Sequence, residues 1–257
     1  RISFGNIVAK GDLSRAYTDD QLAALPIKAR KDRKLVGVQT AAIDIPAKVD
    51  GSTVYGIDAT YPGMVYAKPM MPPTRHGSVV KSVDDSAAKA VAGYQQTLVL
   101  DDPSDTVPGW ALVIADSYHA ALRAARVVKI DWQAGPGADV SEADLLRRGA
   151  ELLAGDTGSL VVDNEHVDHM FEAADSVLEA SYVTNTVLHF QLEPVNAIGL
   201  QRDGRWELHT GNQWQSLILP TLGQALGVAP EKVVMRTYML GGGSVSYTHL
   251  RAHETYT

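Results

Sequence analysis

WALVIADSYHAALRAARVVKIDW, residues 110–132, carries the clearest structural signal in the chain. The apolar run 110–115 predicts a buried strand, and Ser117 is a suitable N-cap for a helix over 118–127. Residues 128–132 then return to a strand pattern. A strand, a helix and a second strand at such short spacing predict a compact α+β domain.

On the N-terminal side of this unit, short apolar runs alternate with turn residues, which predicts further strands. Tyr-Pro-Gly at 61–63 predicts a turn between two of them. Acidic residues at Asp84 and Asp85, followed by Gly93 as a stop, predict a helix. The predicted elements are strands 54–58, 64–67, 79–83 and 96–100 and a helix over 84–91.

Residues 1–47 show little periodicity, and we predict a connector that is the end of a truncated upstream region. Within it, residues 2–8 predict a short strand. Thr18 is a suitable N-cap, which predicts a short helix over 18–24. The basic run KARKDRK at 28–34 is predicted to be a solvated segment.

Residues 134–138, AGPGA, form a Gly/Pro-rich linker and mark a domain boundary. Beyond it, the pair Asp203-Gly204 predicts a hairpin with a type I′ turn. Pro220 is expected to lie near the first turn of its helix. The predicted elements are helices from Ser141 to about 153, over 166–174 and over 217–226, a β-prone stretch over 176–191, hairpin strands 198–202 and 205–208, and a strand over 232–240 that runs into three glycines.

The composition excludes several classes of protein. The 257 residues have a net charge of −7, with 45% hydrophobic and 21% charged residues, which is an ordinary globular balance without a basic patch for nucleic acid. No apolar run approaches the roughly 20 residues that span a bilayer. The chain contains no cysteine, so it offers no disulfide, thiolate zinc site or iron–sulfur ligand of its own.

Two pairs of histidines have spacings that suggest metal binding. His166 and His169 lie among acidic residues in segment 163–169, but a solvated helix start explains this segment better. His249 and His253 lie four residues apart, as in helical metal pairs, but they belong to the tail described next. The sequence therefore predicts no metal ligand.

The C-terminal residues do not resemble the rest of the chain. Residues 245–255, VSYTHLRAHET, look like the in-frame translation of a sequencing-library adapter, so we treat 244–257 as an artefactual tail. The glycines directly before it lack a Cβ and can bring backbone N–H groups close to a ligand. A glycine triplet is also common in simple turns and bulges.

Two polar segments are further candidates. His189 and Glu193 are predicted on one face of a strand that Pro194 ends. A polar pair that anchors backbone is favoured there over acid–base catalysis. Asn-Gln-Trp-Gln at 212–215 predicts a turn, and its amides either cap the following helix or donate hydrogen bonds to a bound oxo or phosphate group.

Four blocks, taken together and in this order, resemble the molybdenum-binding subunit of the xanthine oxidase family of molybdenum hydroxylases. The likeness is to the isoquinoline 1-oxidoreductase β subunits and bacterial aldehyde dehydrogenase large subunits in particular. The blocks are PAKVDG (46–51) with YGID (55–58), HFQLEP (189–194), GNQWQ (211–215) and MLGGG (239–243).

The resemblance implies an α+β fold, with an α/β-hammerhead domain over 48–133 and the N-terminal part of a first molybdopterin-binding domain over 139–243. The family's catalytic glutamate lies further along the chain, so no catalytic residue is expected within these residues. The cofactor-binding positions that the resemblance implies are Gln213, Gly241, Gly242 and Gly243, with Gln215 as the alternative to Gln213.

The activity that the resemblance implies is hydroxylation of aldehydes or N-heteroaromatic compounds with oxygen from water. The implied cofactor is molybdenum–molybdopterin in its cytosine dinucleotide form, bound only by the full-length protein. Electrons would pass to [2Fe–2S] clusters on a small ferredoxin-like partner subunit, with cytochrome c as a candidate acceptor. The alternative is a non-catalytic docking or structural fragment. The sequence leaves the substrate and the compartment open.

Overall fold

The structure is a computed structural model that describes residues 3–102, 107–155, 158–159, 161–162, 166–184, 191–213 and 215–242. The predicted His189, Gly243, the acidic residues 163–165 and the tail lie outside these residues. The chain divides into two units, Arg1–Thr53 and Val54–Thr257.

The first unit has three short helices with no buried residues, α1 (Phe4–Lys10), α2 (Asp19–Ala23) and α3 (Ile45–Asp50). The strand predicted over 2–8 is wrong. The Ser3 hydroxyl caps α1 by accepting from the Asn6 N–H, and an isolated extended segment would have no sheet partner. Helix α2 is confirmed, with a capping box between Thr18 and Gln21. The basic run 28–34 is exposed, as predicted.

The second unit begins with two small antiparallel sheets. One has the strand order β1-β4-β3, and the other pairs β2 with β5. The elements are β1 (Tyr66–Met70), β2 (Val79–Asp84), β3 (Tyr94–Val99), β4 (Ala111–Ala115), α4 (Tyr118–Ala125) and β5 (Lys129–Gln133).

The core forms where α4 packs against strands β1 and β4. Ser117 caps the helix as predicted, and Ala121 and Ala124 on its inner face are fully buried. Ala124 joins Val113 of β4 and Val128 in one apolar cluster. Val113 is fully buried, which is worth about 1.5–3 kcal/mol for a side chain of this size. The strand–helix–strand prediction for 110–132 is confirmed.

Two predictions in this region are wrong. The strand over 54–58 is a single 3₁₀ turn, Gly56–Asp58, and only Tyr55 makes a β-bridge, to Met239. The helix over 84–91 is reduced to the 3₁₀ turn Ala88–Ala90. β2 continues through Asp84, so the first residue of the predicted helix belongs to a strand, and β3 starts at Tyr94.

The C-terminal part contains a three-stranded sheet in the order β6-β7-β8. β6 and β7 form the predicted hairpin, and the turn residues Asp203 and Gly204 have φ of 51° and 71°, as a type I′ turn requires. β7 and β8 are parallel and are connected through α7. The elements are α5 (Glu142–Leu153), α6 (Val167–Glu172), β6 (Ile198–Arg202), β7 (Arg205–Gly211), α7 (Gln215–Ala225) and β8 (Val233–Tyr238).

Helices α5 and α6 confirm the predictions near Ser141 and over 166–174, with a Ser141–Asp144 capping box in α5. Pro220 lies inside α7, further from its start than expected. The β-prone stretch 176–191 is wrong over 176–184, which form no regular element. These residues are mostly exposed, so β propensity has no neighbouring strand on which to act. The domain limits 48–133 and 139–243 stay predictions.

Candidate functional site

The parallel strands β7 and β8 end side by side, with Gly211 paired to Tyr238. The segment that starts at Asn212 follows one strand, and 239–242 follows the other. Ligands of open α/β sheets bind at the carboxyl ends of parallel strands, where the following loops meet. Two of the four sequence blocks therefore meet at the edge of the sheet where a ligand is expected.

Gly211 lets these two loops approach closely. A Cβ at this position would lie 2.6 Å from Cδ2 of Leu240, which is closer than real side chains allow. A larger residue at 211 would therefore require the Leu240 side chain to move.

Glu193 joins the remaining two blocks to this edge. Its Oε2 accepts from the N–H of Gly241 at 2.6 Å, and its Oε1 accepts from the N–H of Ile57 at 3.0 Å. Its own N–H donates to the carbonyl of Gly241 at 3.1 Å. The carboxylate thus connects segments that lie 136 and 48 residues away in sequence.

Asn196 completes this arrangement. Its Nδ2 donates to Glu193 Oε1 at 3.0 Å and to the carbonyl of Pro194 at 2.9 Å. Its carbonyl accepts from the Thr210 hydroxyl, near the end of β7, at 2.8 Å. The turn that carries Glu193 is therefore attached to the same strand end.

The electrostatics of Glu193 follow from these contacts. Partial burial alone would raise the pKa of Glu193, but hydrogen bonds from Asn196 and from the N–H groups of Gly241 and Ile57 outweigh burial and hold the pKa below its usual value. The carboxylate is therefore ionised at neutral pH. The backbone-anchoring role predicted for the pair His189 and Glu193 is confirmed for Glu193, although Glu193 lies in an irregular segment and not in the predicted strand; His189 lies outside the described residues.

The glycines after β8 allow the close contact between this loop and Glu193. The N–H and the carbonyl of Gly241 both bond to Glu193, and a Cβ on Gly241 would collide with the Glu193 side chain. Gly242 has φ of 133°, a conformation that favours glycine. Gly241 is thus a fixed point of the loop, and Gly242 is the next position along it.

The two candidate glutamines differ in their surroundings. Nε2 of Gln215 donates to the carbonyl of Asn212 and, at 3.2 Å, to the hydroxyl of Thr237 on β8. Gln215 therefore closes the turn between β7 and α7. Gln213 is exposed and lies two residues after the end of β7.

A second polar cluster was not predicted from the sequence. Glu207 and His209 are 7% and 4% exposed and lie on the same face of β7. Nε2 of His209 lies 3.4 Å from Glu207 Oε2, and the Tyr61 hydroxyl lies 3.1 Å from Nδ1. Tyr238 borders the same open cleft of about 560 Å³. The two-residue spacing of Glu207 and His209 on a strand is the signal that could have indicated this cluster.

Two arginines form ion pairs with the Glu207 carboxylate and stabilise its negative charge. Arg202 and Arg236 lie 3.6 and 3.5 Å from its carboxylate. Burial alone would raise the pKa of Glu207, but His209, Arg202 and Arg236 together lower it below its usual value. Burial and the Tyr61 hydroxyl raise the pKa of Tyr238.

The described part of the chain offers neither a metal-binding cluster nor a membrane-spanning helix. It contains no group of three or more His, Asp or Glu residues that could hold a metal ion. None of its helices has both the length and the apolar character needed to cross a membrane.

Residues 155–244 match the family model of the molybdopterin cofactor-binding domain. The chain is 49% identical over 245 residues to the membrane-bound aldehyde dehydrogenase (pyrroloquinoline-quinone) of Gluconacetobacter polyoxogenes, covering 95% of this chain and 32% of that protein. It is 32% identical over 234 residues to isoquinoline 1-oxidoreductase subunit beta of Brevundimonas diminuta, covering 86% of this chain and 28% of that one.

The fold matches solved structures as well. The aldehyde oxidoreductase from Desulfovibrio desulfuricans superimposes with a TM-score of 0.58 at 20% identity, covering 93% of this chain and 30% of that one. This likeness shows the fold alone. The chain spans about a third of the length of the curated relatives it matches.

The strand-end loops and these matches define a molybdopterin cofactor-binding segment of α+β fold. The chain belongs to the molybdenum-binding large subunits of the xanthine oxidase family. The family and fold class predicted from the sequence are confirmed. The individual cofactor contacts at Gln213, Gln215 and the glycines stay predictions.

The described residues fit one side of such a cofactor site. Gly211 and Gly241 keep side chains out of the strand ends, and the exposed Gln213 lies in the segment that follows β7. Neutral amide groups suit the oxo and phosphate oxygens of a molybdopterin cofactor, which are hydrogen-bond acceptors.

Proposed function

We propose that the full-length protein is an oxidoreductase that hydroxylates aldehydes or N-heteroaromatic compounds, and that this chain forms one wall of its cofactor site. The observation that carries the proposal is that YGID (55–58), Glu193 of the second block and the segments that follow β7 and β8 meet at the ends of these two strands. The names of the relatives, an aldehyde dehydrogenase and an isoquinoline oxidoreductase, support this substrate range.

In this proposal the chain binds and orients the cofactor but supplies no catalytic base. The amide of Gln213 donates a hydrogen bond to an oxygen of the cofactor. Gly242 keeps a side chain out of its path and Gly241 fixes the loop, with Gly243 as a further cofactor contact that only the family resemblance implies. The bound molybdenum cofactor supplies the oxidation chemistry, and the protein supplies position and hydrogen bonds.

The finer details are part of the same proposal. We propose the cytosine dinucleotide form of the cofactor and a small [2Fe–2S] ferredoxin-like partner subunit, with cytochrome c as an electron acceptor. The iron–sulfur ligands would come from the partner, since these residues include no cysteine. The β-subunit name of one relative supports a multi-subunit assembly.

A quinone cofactor is the competing proposal, because the name of the most identical relative reported above carries pyrroloquinoline quinone. The two cofactors are separable on one sample of the purified full-length protein. Elemental analysis measures molybdenum, and extraction followed by chromatography measures the quinone. Stoichiometric molybdenum without quinone supports our proposal. Quinone without molybdenum overturns it, and the absence of both supports the non-catalytic alternative.

The 257-residue chain by itself should bind no molybdenum, because it carries only one wall of the site. Elemental analysis of the purified chain tests this expectation. Stoichiometric molybdenum in that sample would contradict it.

Gln213 and Gln215 give a matched test of the contacts in the full-length protein. Gln213→Ala should lower kcat about 10- to 100-fold while the protein stays folded, because it removes one hydrogen-bond donor near the reacting group. Gln215→Ala should lower the melting temperature instead, because its amide bonds to Asn212 and Thr237. The reverse pattern would assign the cofactor contact to Gln215.

A further inference from the structure

Glu193 lies in a short irregular segment and makes three hydrogen bonds to backbone groups of two other segments. One carboxylate oxygen accepts from the Gly241 N–H and the other accepts from the Ile57 N–H. Its backbone N–H adds a third contact, to the Gly241 carbonyl. The residue therefore fixes the glycine loop from two directions.

The geometry requires a carboxylate at this position. Three donors point at the side chain, namely the N–H groups of Gly241 and Ile57 and Nδ2 of Asn196. An ionised carboxylate only accepts hydrogen bonds and satisfies all three donors. A glutamine of the same size would turn an NH₂ group toward one of the backbone N–H groups and leave that group unpaired.

We propose that Glu193 is a positioning residue, which sets the place of the Gly241–Gly242 loop relative to the ends of β7 and β8. This inference rests on the proposed function, in which the same loop faces the cofactor. Glu193 acts through Gly241, since its oxygens are bonded within the protein. A shift of about 1 Å in such a support can cost about 100-fold in rate.

The test compares Glu193→Gln and Glu207→Gln in the full-length holoenzyme. Both replace a carboxylate that lies against the same sheet, but Glu207 is bonded to His209 and arginines rather than to the loop. The readouts are kcat and KM, the electron paramagnetic resonance spectrum of the molybdenum centre, and hydrogen exchange of a peptide that contains Gly241.

For Glu193→Gln we expect faster exchange at Gly241, an altered spectrum, and kcat lowered about tenfold or more with KM within about twofold. For Glu207→Gln we expect the wild-type spectrum and wild-type exchange at Gly241. If both variants leave exchange and spectrum unchanged, or alter them equally, Glu193 does not position the loop.

Asn196→Ala keeps the proposal testable if Glu193→Gln fails to fold. It removes one donor to Glu193 and leaves both backbone contacts of the carboxylate. We expect faster exchange at Gly241, because Glu193 loses a donor that helps to hold its carboxylate, and exchange equal to that of the wild type would contradict the proposal. A wild-type protein without molybdenum would instead defeat the proposed function, whatever the variants show.

Discussion

Glu193 and Glu207 are two carboxylates against one sheet, and the protein keeps each ionised by a different means. Glu193 lies at the strand ends and is held by backbone N–H groups and the amide of Asn196. Glu207 lies on the sheet face and is held by His209 and two arginines. Contacts to backbone determine where a loop lies, whereas contacts between mobile charged side chains mainly balance charge. The difference indicates which of the two carboxylates sets the shape of the site.

Gly241→Val should cause the largest loss of stability among the variants that we predict. Its branched side chain would occupy the space of the Glu193 side chain and force the loop away from β7. We expect a loss of about 3 kcal/mol in the free energy of unfolding, measured by chemical denaturation of this chain. Gly199→Val is the matched control, because a Cβ at Gly199 meets no atom within 4 Å. Equal losses for the two variants would show that the loop is not tightly packed.

The stability losses caused by replacing the two carboxylates should differ in their dependence on salt. Glu193→Gln leaves a backbone donor unpaired and should cost about 1–2 kcal/mol at any ionic strength. Glu207→Gln removes contacts to partly exposed arginines, so its effect on stability should shrink at about 0.5 M salt. Melting curves at low and high salt check this contrast. A salt-dependent loss for Glu193→Gln would place it in the same class as Glu207.

Acid should weaken the strand-end region by a smaller amount. The folded pKa of Glu193 lies below its ordinary value of 4.5, so its stabilisation is complete above that pH and is lost as the pH falls through the folded pKa. Hydrogen exchange at Gly241, measured from pH 6 downward, should therefore deviate from its intrinsic pH dependence only below about 4.5. Glu193→Gln should lack this additional change. A change already present near pH 6 would contradict the lowered pKa.

Local signals in the sequence predicted much of the fold. The Ser117 cap and the apolar periodicity of α4, the Ser141 cap of α5 and the Asp203-Gly204 turn each act over a few residues, and each is confirmed. The strand predicted over 2–8 was wrong because a strand depends on a partner that lies elsewhere in the chain. The same reason accounts for the stretch 176–184.

The candidate site was predictable as a set of blocks but not as an arrangement. The sequence brought out Glu193 and the glycines separately, and it indicated a backbone-anchoring role for Glu193. It could not show that Ile57 and Gly241 are the groups anchored, since these contacts join residues far apart in sequence. The contact between Tyr61 and His209 was missed for the same reason, since 148 residues separate them.

The contact between Tyr61 and His209 also sets an order of events during synthesis. These residues are 148 positions apart, and ribosomes add about 5–20 residues per second, so about 10–30 s separate their emergence. The apolar core around Val113 and Ala124 is complete well before β7 exists. During that interval the segment 55–61 has no docking surface on the nascent chain, so the strand-end region is completed only after the apolar core.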